Sequence, residues 1–130
     1  MGPAQAVTKV IDNDRGGSVS DRVNEIKRLR KSGTKIRIQG FCASACTLYL
    51  GLKNQVCVTE TATLAFHGPS TATPGLMLPY DDFQRITAQM ASYYPEPLRR
   101  WYMKEGRNNI EGLYSFTGAQ LIEMGARRCT

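Results

Sequence analysis

The sequence predicts one α/β domain in which helices cover a largely parallel sheet. Three observations carry that expectation. A chain of 130 residues is the length of a single core. Its apolar residues switch repeatedly between strand-like alternation and a helical period. Glycine-containing turns fall where the period changes. With 42% hydrophobic and 22% charged residues and no low-complexity tract, the composition excludes a disordered chain. No apolar run approaches the roughly 18 residues of a membrane span, so none is expected.

Ala6 to Ile11 alternates as a first strand, closed by the turn-forming cluster Asp12-Asn13-Asp14-Arg15-Gly16-Gly17. From Ser18 the period lengthens. Val19, Val23 and Ile26 share a face, Ser18 and Asp21 have capping-box spacing, and Gly33 stands as the stop. Lys35 to Gln39 alternates again with Ile36 and Ile38 inward, and Gly40 leads into Phe41-Cys42-Ala43-Ser44-Ala45-Cys46-Thr47-Leu48-Tyr49-Leu50. Such a density of small residues predicts a buried helix starting close to Ser44.

Gln55 to Thr59 and Thr61 to Phe66 are two further β-rich runs, the second delivering His67 to its C-terminal end. Gly68-Pro69-Ser70-Thr71-Ala72-Thr73-Pro74-Gly75 is a loop by composition. Phe83, Ile86, Met90 and Tyr93 form a helical face. Pro97 opens another helix with Leu98, Trp101 and Tyr102 as its stripe and Gly106 at its end. Thr117 and Gln120 make a capping box ahead of Leu121 and Met124, with Gly125 as the stop. The predicted order is β-α-β-α-β-β-α-α-α, without repeat or linker, so residues 1–130 form a single domain.

Seventeen basic against eleven acidic residues give a net charge of +6. Lys27, Arg28, Arg30 and Lys31 end one predicted helix, Arg99 and Arg100 lie on another, and Arg127 and Arg128 close the chain. This spread fits helix ends and solvated faces. No aromatic residues interleave as stacking platforms, so no nucleic-acid partner is expected. The four cysteines, Cys42, Cys46, Cys57 and Cys129, permit three pairings. No histidine or second close cysteine pair completes a zinc set around Cys42 and Cys46, and no metal or cofactor is expected. Disulfides and buried free thiols both fit the pattern. The start, MGPAQAVTKV, has neither a basic nor an apolar leader region, although Ala4-Gln5-Ala6 resembles a cleavage site, so no signal peptide is expected here.

Gly16-Gly17, Ser44 and His67 stand at the ends of consecutive predicted strands, where α/β folds place ligands. A serine hydroxyl needs a base to act as a nucleophile, and His67 is the only histidine. The Ala45 N–H at a helix start and the Gly17 N–H beside a missing side chain are candidate oxyanion donors. Singly, each feature has a plainer reading: a strand-to-helix turn, a helix N-cap, a strand-end histidine. Their order and spacing favour a site.

Asn13-Asp14-Arg15-Gly16-Gly17-Ser18-Val19, Gly40-Phe41-Cys42-Ala43-Ser44-Ala45 and Leu64-Ala65-Phe66-His67-Gly68-Pro69 together resemble the Clp protease proteolytic subunit and its relatives in the Clp/crotonase superfamily. The family pattern is Asn-x-x-Gly-Gly-Ser-Val, then Gly-x-x-Ala-Ser, then an apolar strand ending in His-x-Pro. The resemblance runs from about Thr8 to Pro69 and resumes from Phe116 to Gly125. It is closest to small, often exported bacterial Clp-like proteins with a Cys-x-Ser-x-Cys signature, here Cys42 to Cys46.

The resemblance implies a Clp/crotonase-like fold with Ser44 as nucleophile, His67 as base and the backbone of Gly17 and Ala45 as oxyanion hole. It also implies a peptide or protein substrate and a homo-oligomer and, with the four cysteines, a periplasmic or exported location. Two departures stand beside it. Where the family has its triad aspartate, just before Phe116-Thr117-Gly118-Ala119, this chain has Leu113, Tyr114 and Ser115. Glu111 and Asp82, ranked equally, and Asp81 are the acids left to orient His67, with a dyad as the alternative. The resemblance also starts at the family's second strand, so the fold is expected to be truncated at its N-terminus, leaving an edge for another subunit to cover. Three functional readings follow: a serine peptidase working through an acyl-enzyme, an inactive Clp-like assembly or binding module, and crotonase-like acyl-thioester chemistry. The last needs carboxylates rather than a serine–histidine pair.

Overall fold

The computed structural model describes residues 7–71, 73 and 76–130. Ala4-Gln5-Ala6, including the expected first residue of the first strand, and Ala72 and Pro74-Gly75 of the expected loop lie outside them. Strand β1 (Thr8–Asp14) leads to helix α1 (Val19–Ser32), strand β2 (Lys35–Ala43), a 3₁₀ segment (Ser44–Gln55), and strands β3 (Val56–Val58) and β4 (Thr63–Phe66). Helices α2 (Tyr80–Ala91) and α3 (Leu98–Lys104), strand β5 (Tyr114–Thr117) and helix α4 (Gly118–Glu123) follow, with a short 3₁₀ turn after α3.

The sheet runs β1-β2-β4-β5, and β2 is its spine. One edge of β2 pairs in parallel with β1. Its other edge is shared, Ile36–Ile38 pairing with β3 and Phe41–Ala43 with β4, both in parallel. Strand β5 closes the far side antiparallel to β4, with Leu64 opposite Phe116. Ile36 and Ile38 of β2 meet Val23 and Ile26 of α1, Leu48 of the 3₁₀ segment, Leu64, Leu98 and Leu121 in one buried core. The alternation read in the sequence is therefore the inward face of a sheet with helices packed upon it.

Local caps hold where they were expected. The Ser18 hydroxyl accepts the Asp21 N–H at 3.2 Å, and Thr117 and Gln120 form the reciprocal box ahead of α4. Three differences are tertiary in origin. Strand β1 continues through Asp12-Asn13-Asp14, residues that favour turns, because β2 offers a ladder along that stretch and a bulge between Ile11 and Asn13 absorbs the register shift. The expected helix after Ser44 is a 3₁₀ run broken at Lys53 (φ 55°, ψ −108°). Ala45 to Leu52 are buried throughout, so packing rather than propensity sustains so long a run. Strand β5 was not expected at all.

The cysteines resolve into two disulfides, Cys42–Cys46 and Cys57–Cys129. The second ties the C-terminal residues along β3, where the Val58 N–H donates to Arg127 and the Cys129 N–H to Val58. The outer edge of β1 has no strand partner among the described residues. No helix among them is long and apolar enough to cross a membrane.

Candidate active site

Ala43 of β2 and Ala65 of β4 are paired across the ladder, so the residues that follow these two parallel strands emerge side by side at one edge of the sheet. Those residues are Ser44 and His67. Ser44 takes φ 59°, a left-handed turn that costs a β-carbon residue roughly 1–2 kcal/mol. It aims the side chain back toward β4. The Ser44 Oγ lies 2.8 Å from His67 Nε2. On the other side of the ring, His67 Nδ1 lies 2.6 Å from the Gly68 carbonyl. A carbonyl only accepts, so Nδ1 carries the proton and Nε2 presents its lone pair to the Ser44 hydroxyl.

The surroundings hold both partners. Buried Thr47 donates its hydroxyl to the Ser44 carbonyl at 2.6 Å and accepts from the Tyr94 hydroxyl at 2.7 Å. The Cys42–Cys46 disulfide spans Ser44, joining the last turn of strand to the first turn of the 3₁₀ segment. Phe66, just before His67, packs edge-on against Tyr94, Trp101 and Phe116. The Tyr102 hydroxyl donates to the His67 carbonyl, and the Gly68 N–H donates to Asn109. Burial pushes the Tyr102 phenol far above its ordinary value, and the neighbouring Tyr94 adds to this, so it stays a neutral donor. A side chain on Gly68 would run into the Arg107 backbone, so only a glycine fits at the position that supplies the acceptor for Nδ1.

The glycine loop is fixed just as firmly. Gly16 (φ 95°) lies against Ser44: a β-carbon there would sit 2.7 Å from Ser44 Cβ and 2.9 Å from the Ala45 nitrogen. Asp14 accepts the Gly16 N–H at 2.9 Å and a two-pronged bond from Arg22 at 2.8 and 3.1 Å. Arg22 in turn stacks over Tyr49 and pairs with Glu25, which also takes bonds from Lys9 and the Tyr49 hydroxyl. Burial alone would raise the Asp14 carboxyl, but the bonds from Arg22 and Gly16 outweigh it and hold it below its usual range. Glu25 is lowered in the same way, burial being outweighed by Tyr49 and Lys9. This network staples the loop to α1 and to the segment that begins at Ser44. Among the described residues, the N–H groups of Gly17 and Ala45 have no hydrogen-bond acceptor, and open space surrounds Gly17.

Among the described residues, no carboxylate makes a hydrogen bond or ion pair with His67. Asp82 sits in the first turn of α2 and pairs with Arg85 at 3.2 Å, Asp81 is exposed beside it, and the helix geometry turns both to solvent. Glu111 lines the hollow next to His67 but is exposed and makes no hydrogen bond or ion pair among the described residues. Of the two expected alternatives, an orienting acid or a dyad, the described residues have the arrangement of the dyad, with the Gly68 carbonyl beside Nδ1. No group of three or more histidine, cysteine or acidic side chains among the described residues is placed to hold a metal. A hollow of ≈ 290 Å³ at the pair is walled by Arg15, Phe41, Ala43 and Leu113. A second, of ≈ 280 Å³, continues past His67 along Ser70 and Thr71. The expected position of the Ser70 to Pro79 loop beside the site thus holds for its first two residues, and Ser70 bridges to Met77.

Sequence reasoning missed Thr47, Tyr94, Tyr102 and Gly68. Thr47 had a signal, being a hydroxyl one 3₁₀ turn after Ser44 within a buried apolar run. Tyr94, in the turn after α2, is 47 residues from Thr47, and Tyr102 of α3 is 35 residues from His67, and neither had one.

Neither a protein-family model nor a curated protein sequence gives a significant match to this chain. Among solved structures, the 1510-N membrane-bound stomatin-specific protease, as a lysine-to-alanine mutant in complex with a substrate peptide, superposes with a TM-score of 0.65 at 18% identity. The match covers 91% of this chain and 57% of that one, so the chain spans little more than half of the protease's length. At that identity the likeness is one of fold: a mixed α/β domain of Clp/crotonase-like architecture.

Proposed function

We propose that the protein is a serine hydrolase acting on peptides, with Ser44 as nucleophile and His67 as general base. The observation that carries this reading is the 2.8 Å Oγ–Nε2 contact, with the opposite nitrogen bonded to a main-chain carbonyl. His67 Nε2 takes the Ser44 proton as Oγ attacks a substrate carbonyl, and the imidazolium returns it to the leaving amine. Water then releases the acyl group by the same route in reverse. The N–H groups of Gly17 and Ala45 are the donors for the developing oxyanion.

A carbonyl in place of a carboxylate has a defined consequence. In a serine-protease triad, replacing the acid by an amide costs about 10⁴ in kcat because the ring is held in the wrong tautomer. The Gly68 carbonyl keeps the right one. What is given up is the anionic charge facing the imidazolium, so a slow but competent enzyme is the expected result. The apolar walls of Phe41 and Leu113 beside Ser44 fit an apolar residue next to the scissile bond. The solved protease of the same fold carries a substrate peptide, which supports a peptide over an acyl-thioester. The edge of β1 that has no strand partner among the described residues is where a second copy would pair, giving a homo-oligomer, and the two disulfides fit an oxidising, periplasmic or exported setting.

A fluorophosphonate probe tests the proposal. Stoichiometric labelling at Ser44, lost in Ser44→Ala and His67→Ala variants that retain wild-type circular dichroism, supports it. Unlabelled but folded wild-type protein sinks it, and leaves the assembly-module reading.

A further inference from the structure

The cations of this chain are not all spread over solvated faces. Arg30 from the last turn of α1, Lys53 at the kink ending the 3₁₀ segment, Arg99 in the first turn of α3 and Arg127 after α4 converge on one depression. It consists of two adjoining hollows of ≈ 340 and ≈ 560 Å³ that share Gly51, Lys53 and Tyr93. The lining of neither includes an aspartate or glutamate. Leu50, Val56 and the Tyr93 ring give the smaller hollow an apolar wall. It lies at the opposite end of the 3₁₀ segment from Ser44 and shares with that site's surroundings only Tyr94, whose hydroxyl is engaged by Thr47.

The guanidinium groups are held in place from behind. Arg99 Nε donates to the carbonyls of Ala91 and Tyr94 and its Nη2 to Ser92. Arg127 donates to Val56 and Asn54, and Arg30 to Gly51. These bonds satisfy carbonyls at the ends of α2 and the 3₁₀ segment without neutralising any charge. They also spend the entropy of positioning before a ligand arrives, leaving Nη1 of Arg99 and of Arg127 without a hydrogen bond among the described residues. The Lys53 ammonium has no carboxylate or hydrogen-bond partner among them either. Guanidinium forks fixed at the rim of a concave, partly apolar hollow match the oxygens of a tetrahedral oxyanion. A single carboxylate would leave most of the four cations uncompensated, whereas a phosphomonoester carries close to two charges and three acceptor oxygens.

We propose that this depression binds a small organic phosphate, its phosphoryl group among Lys53, Arg99 and Arg127 and its carbon skeleton against Tyr93 and Val56. The test titrates the full chain with phenyl phosphate, inorganic phosphate and benzoate by calorimetry and by amide chemical shifts, in about 0.15 M chloride to screen non-specific attraction. Phenyl phosphate should saturate one site at least about tenfold more tightly than either of the others, with shifts confined to residues near Gly51, Tyr93 and Arg127. Lys53→Gln and Arg127→Gln should each weaken it about tenfold, while Arg28→Gln, which removes an exposed cation on the outer part of α1, leaves it unchanged. Arg127→Gln also loses bonds to the 3₁₀ segment, so Lys53→Gln, which loses none, keeps the test sound if that variant misfolds. No saturation by about 10 mM, equal affinity for inorganic and phenyl phosphate, an equal loss in Arg28→Gln, or shifts centred on Ser44 would each overturn the proposal.

Discussion

Removing the two disulfides one at a time separates what stabilises this protein from what aligns its serine. Cys57 and Cys129 are 72 residues apart and Cys42 and Cys46 only 4. Loop-closure entropy then makes the long bridge worth about 4.4 kcal/mol at 25 °C and the short one about 2 kcal/mol. An unfolding entropy of about 2.1 cal/mol/K per residue amounts to about 0.27 kcal/mol/K for the whole chain. Cys57→Ala/Cys129→Ala should therefore lower Tm by about 16 °C, and Cys42→Ala/Cys46→Ala by about 7 °C. The order reverses at the proposed site. The short bridge brackets Ser44 at its left-handed φ of 59°, and without it the strained residue can relax. A displacement of about 1 Å costs as much as 10²-fold in rate, so fluorophosphonate labelling at 20 °C should fall by at least about tenfold in the short-bridge variant. In the long-bridge variant, still folded at that temperature, it should stay within about twofold of wild type. Circular dichroism melts and labelling time courses read the two effects. Equal Tm losses for the two pairs, or wild-type labelling without Cys42–Cys46, would refute the reasoning.

Thr47→Val keeps the shape but removes the donor to the Ser44 carbonyl and strands the buried Tyr94 hydroxyl, so it should cost about 1–3 kcal/mol in urea unfolding and slow labelling, with Thr47→Ser restoring both. A Thr47→Val variant as stable as wild type would show that this hydroxyl relay carries no load. Asp14 and Glu25 both sit below their ordinary pKa, so the stability they add is complete above about pH 5 and is lost as pH falls through their depressed folded-state values. The urea midpoint of wild type should accordingly drop in acid, with a shallower drop in Asp14→Asn. Superimposable pH curves for the two proteins would remove Asp14 from that account.

Which parts of this molecule could be read from its residues follows from the range of the forces that made them. The caps at Ser18 and Thr117 act over three residues, so their signal is contained in the sequence around them. The edge that brings Ser44 and His67 together is also nearly local, since each residue ends a strand whose alternation is visible and two parallel neighbours must share that end. Strand β5 is different: Tyr114 to Thr117 is a strand because β4, some fifty residues earlier, offers it a ladder. The continuation of β1 through Asp12-Asn13-Asp14 has the same cause. The 3₁₀ geometry after Ser44 depends on burial from every side, and the disulfide pairing on where the tail returns to β3. The orienting partner of His67 was the least legible feature, because every residue carries a carbonyl and main-chain acceptors leave no mark in composition. Searching the sequence for an acid could therefore only nominate Glu111 and Asp82. What does mark Gly68 is the crowding against Arg107 that forbids a side chain, a constraint visible only once the turn after α3 is in place. The group that sets the proton on His67 is thus its own neighbour's carbonyl, held in place by the packing of a distant loop, and the arrangement of the Ser44–His67 pair depends on the fold as a whole rather than on a third side chain.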